Sequence, residues 1–163
     1  MTRAQRQTGA ATPDLTRIFD TVEFRDAYRI SYLANAIVVP GYEGIRREFG
    51  IIRAEYLLLL CLAHVPVLTA RDVAQMTRRP RNSISRAVHR MLAEGYLDRA
   101  PDPSDGRQAR LKLKPKGRAL HKKIAARLVE RQEEVLAALD PAERGQLDGL
   151  LQKLALHAAT LPQ

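Results

Sequence analysis

Residues 102–113 read DPSDGRQARLKL, one short segment beyond RNSISRAVHRMLAEG at residues 81–95. In the earlier stretch Ile84, Ala87, Val88, Met91 and Leu92 recur at helical spacing and form one apolar face. Asn82, Ser83, Ser85, Arg86, His89 and Arg90 fall on the remaining surface, and Gly95 is a natural helix stop. Residues 96–99, YLDR, read as a strand. Residues 107–114 alternate basic or polar side chains with Ala109, Leu111 and Leu113, which predicts a returning strand. Pro101, Pro103, Asp105 and Gly106 supply the turn between them. A helix with a polar, arginine-bearing face beside a basic β-finger suits the grooves and phosphates of duplex DNA.

Upstream, Thr69 precedes ARDVAQM with Asp72 at the third helical position, so a capped short helix is expected to end near Thr77. The connection RRPRN carries Arg78, Arg79 and Arg81, and Pro80 fits the start of the next helix. Residues 53–63 form a compact apolar helix whose four consecutive leucines imply burial on most sides. Residues 24–39 also show helical spacing, and Pro40-Gly41 is expected to break that helix, with a short helical turn following to Phe49 and Gly50 as its stop. Downstream, residues 116–139 carry Leu120, Ile124, Leu128, Val135 and Leu136 on a long helix. Asp140-Pro141-Ala142-Glu143 then opens a last helix bearing Leu147, Leu150, Leu151, Leu154, Ala158 and Leu161. The organisation expected is a flexible arm (1–13), N-terminal helices (14–52), a DNA-binding lobe (53–115) and C-terminal helices (116–163). The fold class is mainly α with a small antiparallel β-hairpin.

Composition agrees with a polyanionic partner. Lys and Arg number 27 against 18 Asp and Glu, a formal net charge of +9. A single cysteine, Cys61, permits no internal disulfide and makes a reducing compartment the default. Cys61 sits within LLLLCLAH and reads as a small buried hydrophobe. The polar opening residues lack the apolar core of a signal peptide, and the longest apolar run is too short to cross a bilayer, so a cytoplasmic protein away from the membrane is expected.

Arg86 and Arg90 have the fork geometry that pairs with guanine or phosphate, and small polar residues near the start of their helix permit close approach to the duplex. Arg107, just past the turn, can enter a narrow minor groove. Asp105 would repel phosphate and is better placed to hold an arginine. Arg110, Lys112 and Lys114 share one strand face, either as a phosphate track or as a solvated edge.

The run VAQMTRRPRNSISRAVHRMLAEGYLDRAPDPSDGRQARLKLKPKGR resembles the winged helix-turn-helix of the MarR family of bacterial transcription regulators. That family's Asp-x-Arg wing is matched by Asp105-Gly106-Arg107. The resemblance is strong over residues 53–118 and general in pattern for the flanking helices. It implies a homodimer whose first and last helices interlock, a palindromic operator in double-stranded DNA, and in many members release by a small aromatic ligand. By position, Asn82, Ser83, Ser85 and Arg86 would face bases, Arg107 would enter the minor groove and Asp105 would brace the wing. Lys114 departs from the threonine often found there as a helix cap, so the cap must come from elsewhere. The basic turn through Arg79 and Arg81 should add phosphate contacts.

A dimer also follows from length, since a lone winged helix needs only about 60–70 residues and the rest supplies apolar-faced helices. Tyr28 and Tyr32, with Arg25 and Arg29 nearby, either line a pocket for an aromatic carboxylate or are ordinary core aromatics. His64 either meets that ligand or ends a helix. No metal-spaced His/Cys set, phosphate loop or nucleophile elbow is present in the sequence, so neither an enzyme nor a cofactor is expected. The function expected is a sequence-specific, ligand-released repressor; the alternative is an architectural protein that binds duplex without sequence choice.

Overall fold

The computed structural model describes residues 15–103 and 108–162. The arm at 1–13 and the wing pair Asp105 and Arg107 lie outside the described residues. The elements run α1 (Leu15–Thr21), α2 (Arg25–Phe49), α3 (Arg53–His64), β1 (Leu68–Thr69), α4 (Ala70–Thr77), α5 (Arg81–Ala93), β2 (Leu97–Pro101), β3 (Ala109–Leu113), α6 (Pro115–Leu136) and α7 (Pro141–Thr160). The chain is mainly helical with a small antiparallel sheet, a winged helix-turn-helix with further helices on both sides. It divides into two compact units, Met1–Val38 and Val39–Gln163.

In the first unit Phe19 of α1 packs against Tyr28 and Tyr32, with ring centroids 5.9 and 5.2 Å apart. The expected break at Pro40-Gly41 does not occur: α2 continues through Pro40 to Phe49. Proline removes one helical donor at a cost of about 3 kcal/mol. Beyond it, Ile45 is fully buried and Tyr42 and Phe49 pack on the core, and that burial offsets the loss. Gly41 is a close approach rather than a turn, because a Cβ there would lie 3.1 Å from Leu128 of α6. The true stop is Gly50, at φ +66°.

The second unit is built on α3, whose Leu58, Leu59 and Leu62 have essentially no exposure. Around it lie α4, α5, the sheet and α6, contributing Val73, Ile84, Met91, Leu111 and Ile124 to one core. Thr69 caps α4 as expected: its Oγ1 accepts from the Asp72 N–H at 3.2 Å, and the Thr69 N–H donates to Asp72 Oδ2 at 2.8 Å. The same residue closes a strand absent from the sequence prediction. β1 pairs with β3 (Leu68 with Leu111, Thr69 with Arg110), so the hairpin becomes a three-stranded sheet in the order β1-β3-β2. Two residues carry no readable alternation, and tertiary pairing alone makes them a strand.

α6 begins without a side-chain cap. Pro115 occupies its first turn and has no N–H to satisfy, while the Lys114 N–H donates to the Tyr96 carbonyl at 3.0 Å. The helix starts hard against that carbonyl, and a Cβ on Gly117 would sit 2.4 Å from it. α7 opens on the expected Asp140/Glu143 capping box, with both reciprocal bonds at 2.9 Å. No helix among the described residues is long and apolar enough to cross a membrane.

Candidate nucleic-acid interface

α5 separates its two faces cleanly. Ile84, Ala87, Val88 and Met91 are buried, while Arg81, Asn82, Ser85, Arg86 and His89 are exposed and Ser83 is half-buried. Pro80 leads in, and among the described residues no side chain caps the N-terminus of α5. The Ser83 N–H is taken up by the Pro80 carbonyl at 3.0 Å, and the positive end of the helix dipole lies at Arg81. The turn before it is tight: Arg78 is left-handed at φ 49° and caps α4, and its guanidinium donates to the Ala158 carbonyl near the end of α7. Arg79 is half-buried, with an Nε that has no hydrogen-bond partner among the described residues.

Between α4, α5 and the sheet runs a groove of about 440 Å³. Arg71, Arg81 and Arg99 line it with Ser85, His89 and Gln108. Three arginines from three elements thus line one concavity with Ser85 and His89 of the exposed row of α5. Arg71 and Arg99 escaped the sequence reading. Arg99 had a signal: it lies two residues from buried Leu97 and pairs with Leu111, so all three share the sheet face turned toward the helices. Arg71 had only its place in the first turn of a capped helix.

On the wing, Arg110 is half-exposed and its Nε donates to Asp102 Oδ2 at 3.2 Å. The wing's acid–arginine pair among the described residues is Asp102 with Arg110; the expected brace, Asp105, lies outside them. Lys114 lies 3.5 Å from Asp98.

Arg90 departs from the expected role. Its Nη1 donates to both oxygens of Glu55, at 2.9 and 3.0 Å. Its Nε donates to Glu94 at 2.8 Å and its Nη2 to the Gly50 carbonyl at 3.0 Å. Glu55 is only 2% exposed, so this arginine compensates a buried carboxylate. The guanidinium is thus engaged by Glu55, Glu94 and Gly50 while remaining partly exposed at the end of the row it was expected to extend.

The residues expected around a ligand fall in the two different units. Tyr28 and Tyr32 flank Phe19, and Arg29 is occupied by Asp20 at 2.9 Å. His64 is exposed and meets His121 edge-on, with centroids 5.9 Å apart. His121 stacks on Tyr56 at 5.8 Å, and Tyr56 in turn meets Tyr42 at 6.1 Å. Burial, then the neighbouring His64 and Arg118, push the His121 pKa below its ordinary value. Desolvation raises the Tyr56 hydroxyl to about 12. Cys61 is buried and its thiol is pushed up by burial, which disfavours the reactive thiolate. No group of three or more metal-ligating side chains occurs among the described residues.

A family model described as MarR family matches residues 49–108, spanning α3 to the far side of the wing turn. The regulator BilQ of Clostridium symbiosum is 33% identical over 89 residues, covering 55% of this chain and 62% of that protein. This chain thus spans somewhat less than two thirds of that relative. A protein described as a transcriptional regulator for the hcr operon of Thauera aromatica is 30% identical over 113 residues, 69% of this chain and 68% of that one. Among solved structures, a MarR regulator from Methanosarcina mazei superposes with a TM-score of 0.74 at 21% identity, covering 82% of this chain and 95% of that one. With the capped α4, the exposed row of α5 and the wing already in place, the chain belongs to the MarR family of transcriptional regulators.

Proposed function

We propose that this protein is a homodimeric repressor that reads a palindromic operator and leaves it when a small aromatic acid binds. The observation that carries the DNA-reading part is the shared groove. Arg71, Arg81 and Arg99 converge beside Asn82, Ser85, Arg86 and His89, so phosphate-binding cations flank short base-reading side chains. Arg79 and Arg81 add charge at the turn, and a net charge of +9 supplies the long-range attraction. Asp105 and Arg107 are proposed as the wing's brace and minor-groove probe. Ser83, half-buried at the edge of the row, and Arg110, held by Asp102, are proposed to fix register on the backbone.

The second copy is proposed from the exposed leucines of α7, which find little cover within their own chain. Two-fold pairing would set two α5 helices about 34 Å apart, one turn of B-DNA. The effector is proposed to meet either the Tyr28 and Tyr32 pair or His64. The protein is proposed to act in the cytoplasm, on the nucleoid.

The test is in vitro selection of duplexes from a random pool, followed by affinity for the selected duplex and for a shuffled one at fixed salt. A palindrome preferred by at least about 10³-fold supports the proposal. Equal affinity for both duplexes makes the protein an architectural binder instead. A panel of aromatic acids added to the complex then tests release.

A further inference from the structure

Arg90 commits all three of its guanidinium nitrogens to partners in its own chain, although its side chain is 42% exposed. Its partners are unequal. Glu94 is the C-cap of the same helix, but Glu55 is almost fully buried at the start of α3, and Gly50 closes α2 in a left-handed conformation. The Glu55 carboxylate also accepts the Ile52 N–H at 2.9 Å, capping α3. One carboxylate and one guanidinium therefore join the end of α2, the start of α3 and the third turn of α5.

We infer that Arg90 is a positioning residue for sequence readout: through Glu55 and Gly50 it sets the pitch of α5 and ties it to the end of α2. The inference rests on the proposed reading of DNA by α5. Asn82 lies eight residues before Arg90, about 12 Å along the helix. A tilt of about 5° at the clamp would displace the base-facing end by about 1 Å, enough to spoil a bidentate base contact. Phosphate contacts made by long, flexible arginines tolerate such a shift. Loss of the clamp should therefore cost specificity and spare general affinity.

The experiment compares the full-length protein with Arg90→Gln, Arg90→Lys, Glu55→Gln and the Glu55→Gln/Arg90→Gln double variant. The probes are the duplex selected by the wild-type protein and a shuffled duplex of equal composition. Each is titrated over a range of salt, with thermal melting as a check of folding.

Arg90→Gln and Glu55→Gln are expected to lower affinity for the selected duplex at least tenfold and to leave the shuffled duplex within twofold. The dependence of affinity on salt should not change, and the double variant should be no worse than the poorer single one. Arg90→Lys keeps the charge but loses the fork, and it should fall in the same direction. It carries the test if Arg90→Gln does not fold. Equal losses on both duplexes, with a salt slope smaller by about one, would make Arg90 a phosphate contact and overturn the inference. Unchanged selectivity, or additive losses in the double variant, would overturn it equally. A wild-type protein that selects no preferred duplex defeats the DNA-reading proposal itself, and this role for Arg90 falls with it.

Discussion

α5 and α7 are both helices rich in apolar residues, yet they meet opposite fates. α5 buries Ile84, Ala87, Val88 and Met91 on one side and exposes a polar row on the other. α7 buries no residue, and Leu150, Leu151, Leu154 and Leu156 stand about half-exposed or more. The sequence of α5 is written for a single docked face. That of α7 has leucines on several sides, which no single lobe can cover. A helix of this kind is stable in water only when another surface encloses it. The contrast therefore separates a residue set covered within its own chain from one left uncovered there.

The largest effect should come from attacking α7. Leu150→Glu with Leu154→Glu should convert a dimer into a folded monomer, read by sedimentation. Affinity for the selected duplex should fall by about 10² or more, because linked half-sites bind with far higher avidity than separate ones. A variant that stays dimeric would break the comparison. Next, Ile84→Ala should destabilise the fold by about 2–5 kcal/mol, the cost of a buried cavity, at any protein concentration. Leu154→Ala should cost stability only where the dimer is populated, and almost nothing on dilution below its dissociation range. Urea titrations at two protein concentrations distinguish the two. On the exposed side of α5, Arg86→Ala should cost about 1–3 kcal/mol on the selected duplex and relax base preference. Arg71→Ala should weaken selected and shuffled duplexes alike and reduce the salt slope by about one. If the two arginine variants behave identically, the division between reading row and flanking cations is wrong.

Legibility followed the range of the interactions involved. The cap at Thr69, the capping box at Asp140, the faces of α5 and the stops at Gly50 and Gly95 are local chemistry, and each was readable from neighbours in sequence. Pro40 was misread because its local penalty is outweighed by the burial of Ile45, which depends on residues dozens of positions away. β1 was missed because two residues become a strand only once β3 lies beside them. The exposed row of α5 could be listed from the sequence, but the engagement of its members could not. Arg90 has the same spacing as a groove contact, and only the position of Glu55, 35 residues earlier, engages its guanidinium. Arg99 escaped notice although it lies two residues from Leu97 on the same strand face, because the groove beside it forms only when α4, α5 and the sheet come together.

α6 lies between the sheet that follows α5 and the start of α7, and it supplies the smallest predicted effect. Ile124 is fully buried, and His121 stacks on Tyr56 of α3. Burial, His64 and Arg118 all disfavour the imidazolium, so the folded-state pKa of His121 lies below the ordinary 6.5. Between those two values the unfolded chain binds more protons than the folded one. The contribution of His121 is therefore fully present above pH 6.5, declines as pH falls through the window, and levels off below the folded-state pKa. Urea midpoints measured from pH 7.5 down to about 5 should fall in the wild-type protein and fall less in His121→Gln. His64→Gln removes one of the opposing charges and should reduce the fall without abolishing it. Parallel curves for wild type and His121→Gln would mean that the α3–α6 contact carries no such penalty, and that acid acts elsewhere in the molecule.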